Sequence, residues 1–444
     1  MTFEETLAEW IPTQRWFAGK GSRILDLAIV ADTALTSGEP TLRHLIVDVR
    51  QDSGVDSYQL LLGQRADIPD QLTHVLIGTA EDGRLAYDAL HDPELTRVLL
   101  GNIASNGRIG PVSFHAEPGA EVDTGQDSLV LTGEQSNTSL MFGQASILKV
   151  FRRPAPGPNP DLEVPRALAR RGSAHVAAPL GWFEARLGGA PTVCGILSVY
   201  LRAATDGWSL AATSVRDLYA GGESAADSGG DFAGEAYRLG EATAEVHRDL
   251  AAAFGTEELP ADAVSRLADE MFERLEVALA TVPELGRYAD QLGSAFSDLA
   301  KLDNALPVQR IHGDYHLGQV MRTLTGWVVL DFEGEPAAPL AQRRAPAPAL
   351  RDVAGMLRSF DYAARHQLLL HPDADRLHSA AVQWIRRNQD AFCAGYAAAG
   401  GTDPGTHAVL LRALVLDKAV YEVMYEARNR PSWLSIPLGS IADS

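Results

Sequence analysis

Three oxygen-bearing side chains set the chemistry to expect of this chain. The run His312-Gly313-Asp314-Tyr315-His316-Leu317-Gly318-Gln319 is followed, after one hairpin-sized connection, by Asp331-Phe332-Glu333. A carboxylate such as Asp314 can orient a hydroxyl and take its proton late when the transition state is loose, as in phosphoryl transfer. Gln319 and Asp331 are the candidate magnesium ligands, since that ion asks for oxygen donors and keeps several of its waters. Asp331 ends the strand-like run Trp327-Val328-Val329-Leu330, and Glu333 shares its face if the strand continues, which makes Glu333 a candidate metal, water or substrate ligand. His316 is a candidate substrate contact. His312 is expected to be architectural, with its ring bonded to the loop backbone. The plainer reading, in which Asp314 only caps the loop, is disfavoured by Gly313 and His312 directly before it.

Such a set needs strands and a tight loop to position it, and a second region to hold a nucleotide. The interval from Asp314 to Gln319 matches that from the catalytic Asp to the metal-binding Asn in the protein-kinase loop, with an arm one methylene longer. Strand-like runs at 128–131, 140–142 and 147–151 flank a polar turn beginning at Gly133. With a single glycine, the turn must supplement backbone contacts to phosphate with the side chains of Ser136, Asn137, Thr138 and Ser139. Lys149 stands in an otherwise apolar strand, where an ammonium is costly unless it pairs. Glu163, in a helix expected over 162–171, is its candidate partner. After a further strand at 192–201, Tyr200 and Leu201 are placed as the hinge between lobes. A GxxxxGK[ST] sequence, the mark of a P-loop enzyme, does not occur.

The chain has 444 residues, too many for one small core, and its formal charge of −20 argues against nucleic acid and acidic membrane as partners. Cys194 and Cys393 are its two cysteines, and they make neither a CxxC pair nor a Cys/His cluster, so no disulfide framework or structural zinc is expected. Glu4, Glu5 and Glu9, with no basic start or apolar stretch, do not read as a signal peptide. No run is apolar enough to span a bilayer, and a cytoplasmic location is expected. Paired strands at 45–49 and 58–62 follow a short amphipathic segment at Leu7, Trp10 and Ile11. Between them, Trp16 and Phe17 read as packing anchors, with Arg15 and Lys20 left wet. From about residue 205 the pattern is helical: 231–254, 263–302 with a break at Pro283, 351–365, 376–399 and 404–430. Asp352 is expected to be buried and paired beneath the catalytic loop, together with Arg351 and Arg358. The fold class is α+β, a small β lobe on a large α lobe: 1–90 as a cap, 91–202 as a β-rich lobe and 203–444 as a helical lobe.

At the carboxy-terminal end, Lys418, Tyr421, Glu422, Tyr425 and Arg428 recur at three- and four-residue spacing, with Trp433 just beyond. Alternating aromatic faces and charged groups suit a sugar, which needs stacking and polar contacts together. Surface ion pairs on a half-exposed helix are the competing reading.

Taken together, the segments 14–19, 134–139, 147–153, 229–235, 312–319, 331–336, 350–360 and 416–433 resemble the maltokinases, a branch of the aminoglycoside-phosphotransferase-like kinases. The resemblance implies a bilobal kinase-like fold with an amino-terminal cap. It also implies ATP- and magnesium-dependent phosphorylation of maltose at its 1-position, with the product feeding α-glucan synthesis from trehalose. In its terms Asp314 is the base, Gln319 and Asp331 bind magnesium, Lys149 contacts phosphate, and the carboxy-terminal Tyr/Glu helix forms the sugar pocket. Tyr315, where leucine is expected in many members, is placed near the sugar side of Asp314. Related kinases of this architecture act on glucosamine, so a kinase phosphorylating glucosamine at its 6-position, or one acting on an aminoglycoside, with Glu422 or Glu426 pairing the amine, is the first alternative. An inactive pseudokinase that binds a neighbouring enzyme is the second. The chain is expected as a monomer or in a complex with a trehalose or glucan enzyme.

Overall fold

The computed structural model describes residues 2–444 apart from 132, 134–135, 222–223, 227–229 and 336–337. Glu134 and Gln135 of the polar turn, Gly229 and Pro336 therefore lie outside the described residues. The chain divides into two compact units, Met1–Arg166 with Ala177–Arg202, and Ala167–Val176 with Ala203–Ser444.

The first unit holds two antiparallel sheets. The helix Phe3–Trp10, started by a Thr2/Glu5 capping box, leads to β1 (Asp26–Ala34), β2 (Thr41–Gln51), β3 (Gly54–Arg65), β4 (Leu76–Thr79) and β5 (Leu85–Asp88), ordered β1-β2-β3-β5-β4. Strands β2 and β3 read as near-continuous apolar runs because both faces are covered. Leu45, Val47, Leu60 and Leu62 pack with Leu7, Trp16 and Phe17 on one side. Leu42 and Leu61 join Leu99, Phe114, Leu148 and Phe183 on the other. Trp16 and Phe17 are anchors as expected, and Arg15 and Lys20 stay exposed.

The second sheet comprises β6 (Arg108–Ile109), β7 (Val112–Ala116), β8 (Ser128–Leu131), β9 (Asn137–Phe142), β10 (Ser146–Phe151), β11 (Pro179–Leu187) and β12 (Ala190–Val199), ordered β6-β7-β11-β12-β10-β9-β8. One core runs through both sheets, across the border expected at residue 90. Gln59 of β3 is fully buried; its amide donates to Phe151 O and Cys194 O at 2.8 and 2.9 Å, and its backbone N–H donates to Arg152 O. Arg152, buried as well, pairs with Asp88 at 2.5 Å. The helix Pro93–Ser105 was hidden from the sequence reading; Asp92 caps its start, accepting from Glu94 N.

The second unit is mainly helical. Ala261–Thr281 and Ala289–Ala300 are separated by a 3-10 turn at Pro283–Tyr288, the break expected at Pro283. Leu350–Leu368, Ala374–Ala398 and Ala408–Asn429 match the later helical expectations within a few residues. Gly207–Tyr219 and Ser435–Asp443 are further helices that the sequence pattern did not single out. The hairpin Val320–Arg322 / Trp327–Val329 joins Thr205–Asp206 in a small sheet. Among the described residues, no helix is long and apolar enough to cross a membrane, and neither cysteine forms a disulfide.

Candidate active site

The loop bearing Asp314 is held from behind by a single stripe of the helix Leu350–Leu368. Asp352, 1% exposed, accepts from His312 N at 2.8 Å and Gly313 N at 2.9 Å, and from His247 Nε2 at 2.9 Å. Burial alone would raise its carboxyl, but the His247 bond and charge, with His312 and the Gly313 amide, outweigh burial and leave it below the ordinary 3.8. Gly355, one turn on, has no room for a side chain, since a Cβ there would lie 2.5 Å from Tyr315 O. Ser359 Oγ then accepts from Leu317 N at 3.0 Å. Gly313 takes φ = +86°, a region that favours glycine, and so turns the chain into Asp314.

His312 is architectural, as its position suggested. Its Nε2 donates to Leu330 O at 2.7 Å and its Nδ1 faces Asp314 N at 3.3 Å, which orients the ring. Tyr315 borders the cavity beside Asp314 described below, while its ring runs inward. Its hydroxyl is buried against Thr243 at 2.8 Å in the packing with the helix Ala233–Phe254, so its ring supports the loop from within the core.

Gln319 and Asp331 stand at the same end of the hairpin. Val320 pairs with Val329, and Leu330 N donates to Gln319 O at 2.9 Å, so Asp331 follows directly, with φ = +53°. Both side chains offer oxygens, the donor type magnesium requires, so the residues fit the ion. Glu333 does not line the acceptor-sized cavity described next, but it offers a carboxylate oxygen within 4.8 Å of one of Asp331, which keeps it a candidate metal or water ligand.

A cavity of about 670 Å³ opens beside Asp314, a volume that suits a small ligand. His316, Lys418, Tyr421, Glu422, Tyr425 and Trp433 all line it, together with Trp208, Tyr362 and His366. His316 Nδ1 accepts from Gly318 N, and burial pulls its ring below the ordinary value, so it is neutral near pH 7. The carboxy-terminal stripe thus forms part of a cavity wall. Arg428 is the exception: it is exposed and does not line the cavity. The helix ends at Asn429, and Arg430, with φ = −145°, leaves the helical path. Its guanidinium stacks 4.1 Å from the Trp433 ring and pairs with buried Glu426 at 2.7 Å.

Each of the cavity's acids meets a cation of the chain, Asp314 and Glu335 sharing one. Glu422 meets Arg358 at 2.7 Å, beneath the wall. Burial pushes the Glu422 carboxyl up, against the pull of Arg358. Lys418 Nζ lies 3.6 Å from Asp314 Oδ1 and 3.3 Å from Glu335 Oε2. Burial lowers Lys418, but Asp314, Glu335 and Glu422 more than offset it and hold the ammonium above its ordinary value. Glu335 also accepts from Tyr421 Oη at 2.9 Å. The sequence reading missed Glu335, Arg430, Tyr362 and His366. The first sits four residues past Asp331 on an irregular loop with no period to mark it. Tyr362 and His366 extend the Gly355/Ser359 stripe at helical spacing, a signal that was available.

In the first unit, Lys149 Nζ meets Asp161 Oδ2 at 2.9 Å, a partner the sequence reading did not consider. Glu163 lies on the same helix, Pro160–Arg170, half-buried. Ser139 pairs directly across from Lys149, and Thr138 from Val150. Ser136 is exposed, but β9 already begins at Asn137, so Thr138 and Ser139 are buried sheet residues. The Thr138 hydroxyl is occupied by Arg152 Nε at 2.9 Å, which removes it from an open phosphate cradle. Tyr200 and Leu201 follow β12 half-buried, and Tyr200 N donates to Ala145 O at 3.1 Å.

Comparison with known proteins fits this geometry. A glucosamine kinase of Streptacidiphilus jiangxiensis is 32% identical over 358 residues, covering 78% of this chain and 80% of that protein. A glucosamine kinase of Mycolicibacterium smegmatis is 29% identical over 332 residues, covering 69% and 77%. Among solved structures, a glucosamine kinase in complex with glucosamine, ADP and inorganic phosphate matches with a TM-score of 0.71 at 25% identity, covering 100% of this chain and 99% of that one. Residues 10–92 match the maltokinase N-terminal cap domain, and residues 131–409 match the phosphotransferase enzyme family. The chain belongs to that phosphotransferase family, as a kinase carrying a maltokinase-type amino-terminal cap.

Proposed function

We propose that this phosphotransferase moves the γ-phosphoryl group of ATP to the anomeric hydroxyl of maltose. The single observation that carries the choice of acceptor is the cavity beside Asp314: its walls are aromatic, and each of its carboxylates already faces an ammonium or guanidinium of the chain. A protonated amino sugar gains most from an uncompensated carboxylate. A neutral disaccharide gains from ring stacking and hydroxyl contacts, and this cavity supplies Trp208, Tyr421, Tyr425 and Trp433 for them. The match of residues 10–92 to the maltokinase cap supports the same reading.

In this reading Asp314 orients the acceptor hydroxyl and takes its proton as the new O–P bond forms and the bond from γ-phosphorus to the β-bridging oxygen breaks. ADP and the sugar phosphate leave, and the proton passes to solvent. Gln319 and Asp331 would hold magnesium, which offsets charge on the phosphates. Lys149, kept in a sheet by pairing, would meet the nucleotide, with Ser136, Asn137 and Ser139 near it in sequence and Tyr200 and Leu201 following β12. His316, Lys418, Tyr421, Glu422, Tyr425 and Trp433 would surround the sugar. The protein would act in the cytoplasm, and its product would feed α-glucan synthesis.

Glucosamine is the second reading, favoured by the names of the relatives above. A panel of sugars with ATP and magnesium, read by ADP release and by NMR of the product, separates the two. Maltose 1-phosphate is expected; phosphate on glucosamine, with maltose inert, rejects the proposal.

A further inference from the structure

We infer that Lys418 is a specificity-determining residue of the acceptor cavity: its ammonium fills the place that an amino sugar's ammonium would need, and so biases the site toward neutral sugars. This rests on reading the cavity beside Asp314 as the acceptor site, and it goes further by naming the side chain that sets the charge of the acceptor.

The surroundings of Lys418 have the composition by which proteins bind a free ammonium. Two carboxylates converge on it, Asp314 Oδ1 at 3.6 Å and Glu335 Oε2 at 3.3 Å, and its Nζ lies 4.9 Å from the centre of the Tyr421 ring. The Glu335 carboxylate is itself fixed, because Tyr421 Oη donates to its other oxygen at 2.9 Å. The cation inside this nest belongs to the helix Ala408–Asn429, so it is tethered and always at hand. A free amine must displace a group whose effective concentration is on the order of millimolar or more, and is repelled while that group stays. The remaining acids of the cavity offer no substitute site, since Glu422 and Glu426 hold Arg358 and Arg430. A neutral hydroxyl meets no such competition, because Lys418 donates and Glu335 accepts without a change of net charge.

Lys418→Met keeps the aliphatic stem and removes the charge, leaving Asp314 and Glu335 uncompensated. Calorimetry with glucosamine should then show affinity at least tenfold above wild type, with no gain for maltose. The gain should fade as the pH is raised until the sugar amine is neutral. It should be absent in Lys418→Arg and largely lost in the Lys418→Met/Glu335→Gln double variant. A merely structural lysine would produce neither the pH dependence nor the rescue by arginine. Glucosamine affinity within threefold of wild type, in a Lys418→Met protein that unfolds normally and still binds ATP, overturns the inference. Lys418→Gln is judged the same way if the methionine variant does not fold. Failure of both to fold makes Lys418 structural and also overturns it. The wild-type preference between maltose and glucosamine tests the acceptor reading, whereas the change on removing the Lys418 charge tests this one, so each can fail alone.

Discussion

The helix Leu350–Leu368 behaves differently at its two ends. Asp352, Gly355 and Ser359 grip the backbone of the Asp314 loop through amides and close approach, and Gly355 and Ser359 also border the cavity. Arg358, just before Ser359, reaches Glu422 and Asp361 instead, and further along Tyr362 and His366 face the cavity itself. In the proposed reaction, one end would fix where the proton is taken. The other would fix what can bring it. Damage at the first end should appear in turnover and stability for any acceptor, and damage at the second in acceptor affinity.

The sharpest break is at the reacting group itself. Asp314→Asn should lower kcat by about 10²–10⁴-fold, the usual worth of a positioned base, while calorimetric ATP affinity in magnesium stays near wild type. Turnover within tenfold of wild type would reject Asp314 as the base.

Asp352→Ala strands two buried backbone amides and a buried imidazole, and should cost about 3–5 kcal/mol in urea unfolding together with a fall in kcat for every acceptor. A loss below about 1 kcal/mol would mean that the grip is ornamental. The pH dependence has a definite sign. The folded carboxyl lies below its ordinary value, so its contribution to stability is complete above about pH 4 and is lost as the pH falls through the depressed value. Wild-type urea midpoints should therefore drop more steeply in acid than those of Asp352→Asn; parallel curves would contradict the assignment.

At the other end, Arg358→Met leaves Glu422 buried without its guanidinium. It should destabilise the protein by about 3 kcal/mol and raise the sugar KM while the ATP KM stays unchanged. Equal effects on both KM values would erase the distinction between the two ends. The smallest effect is expected from Tyr421→Phe, which deletes one hydrogen bond to Glu335. About 1 kcal/mol, or roughly fivefold in sugar KM, is the predicted loss, and steady-state kinetics at saturating ATP would register it.

How much of this was legible in the sequence follows from the range of the interactions. Asp314, Gln319 and Asp331 lie on one loop and hairpin, so their relation is local, and spacing reveals it. Strands β2 and β3 announced themselves because both faces are buried and the apolar run is unbroken. The cavity wall was readable as a helical stripe up to Tyr425, but helix termination at Asn429 carried Arg430 into the place given to Arg428. The alternation of a strand likewise hid that Thr138 turns toward Arg152. Glu335 belongs to an irregular loop, and Asp161 meets Lys149 from the first turn of Pro160–Arg170, a contact between strand and helix that spacing does not mark. The core shared by the two sheets of the first unit could not be seen from a border in composition near residue 90, since Gln59 binds partners 92 and 135 residues away.

The most direct test is the ratio of kcat/KM for maltose to that for glucosamine in the wild-type protein, with ATP and magnesium. A ratio well above ten, lost for both sugars in Asp314→Asn, is what an aromatic-walled cavity with Lys418 seated between its acids beside one base predicts. A ratio below one, with glucosamine turned over efficiently past an intact Lys418, would contradict it.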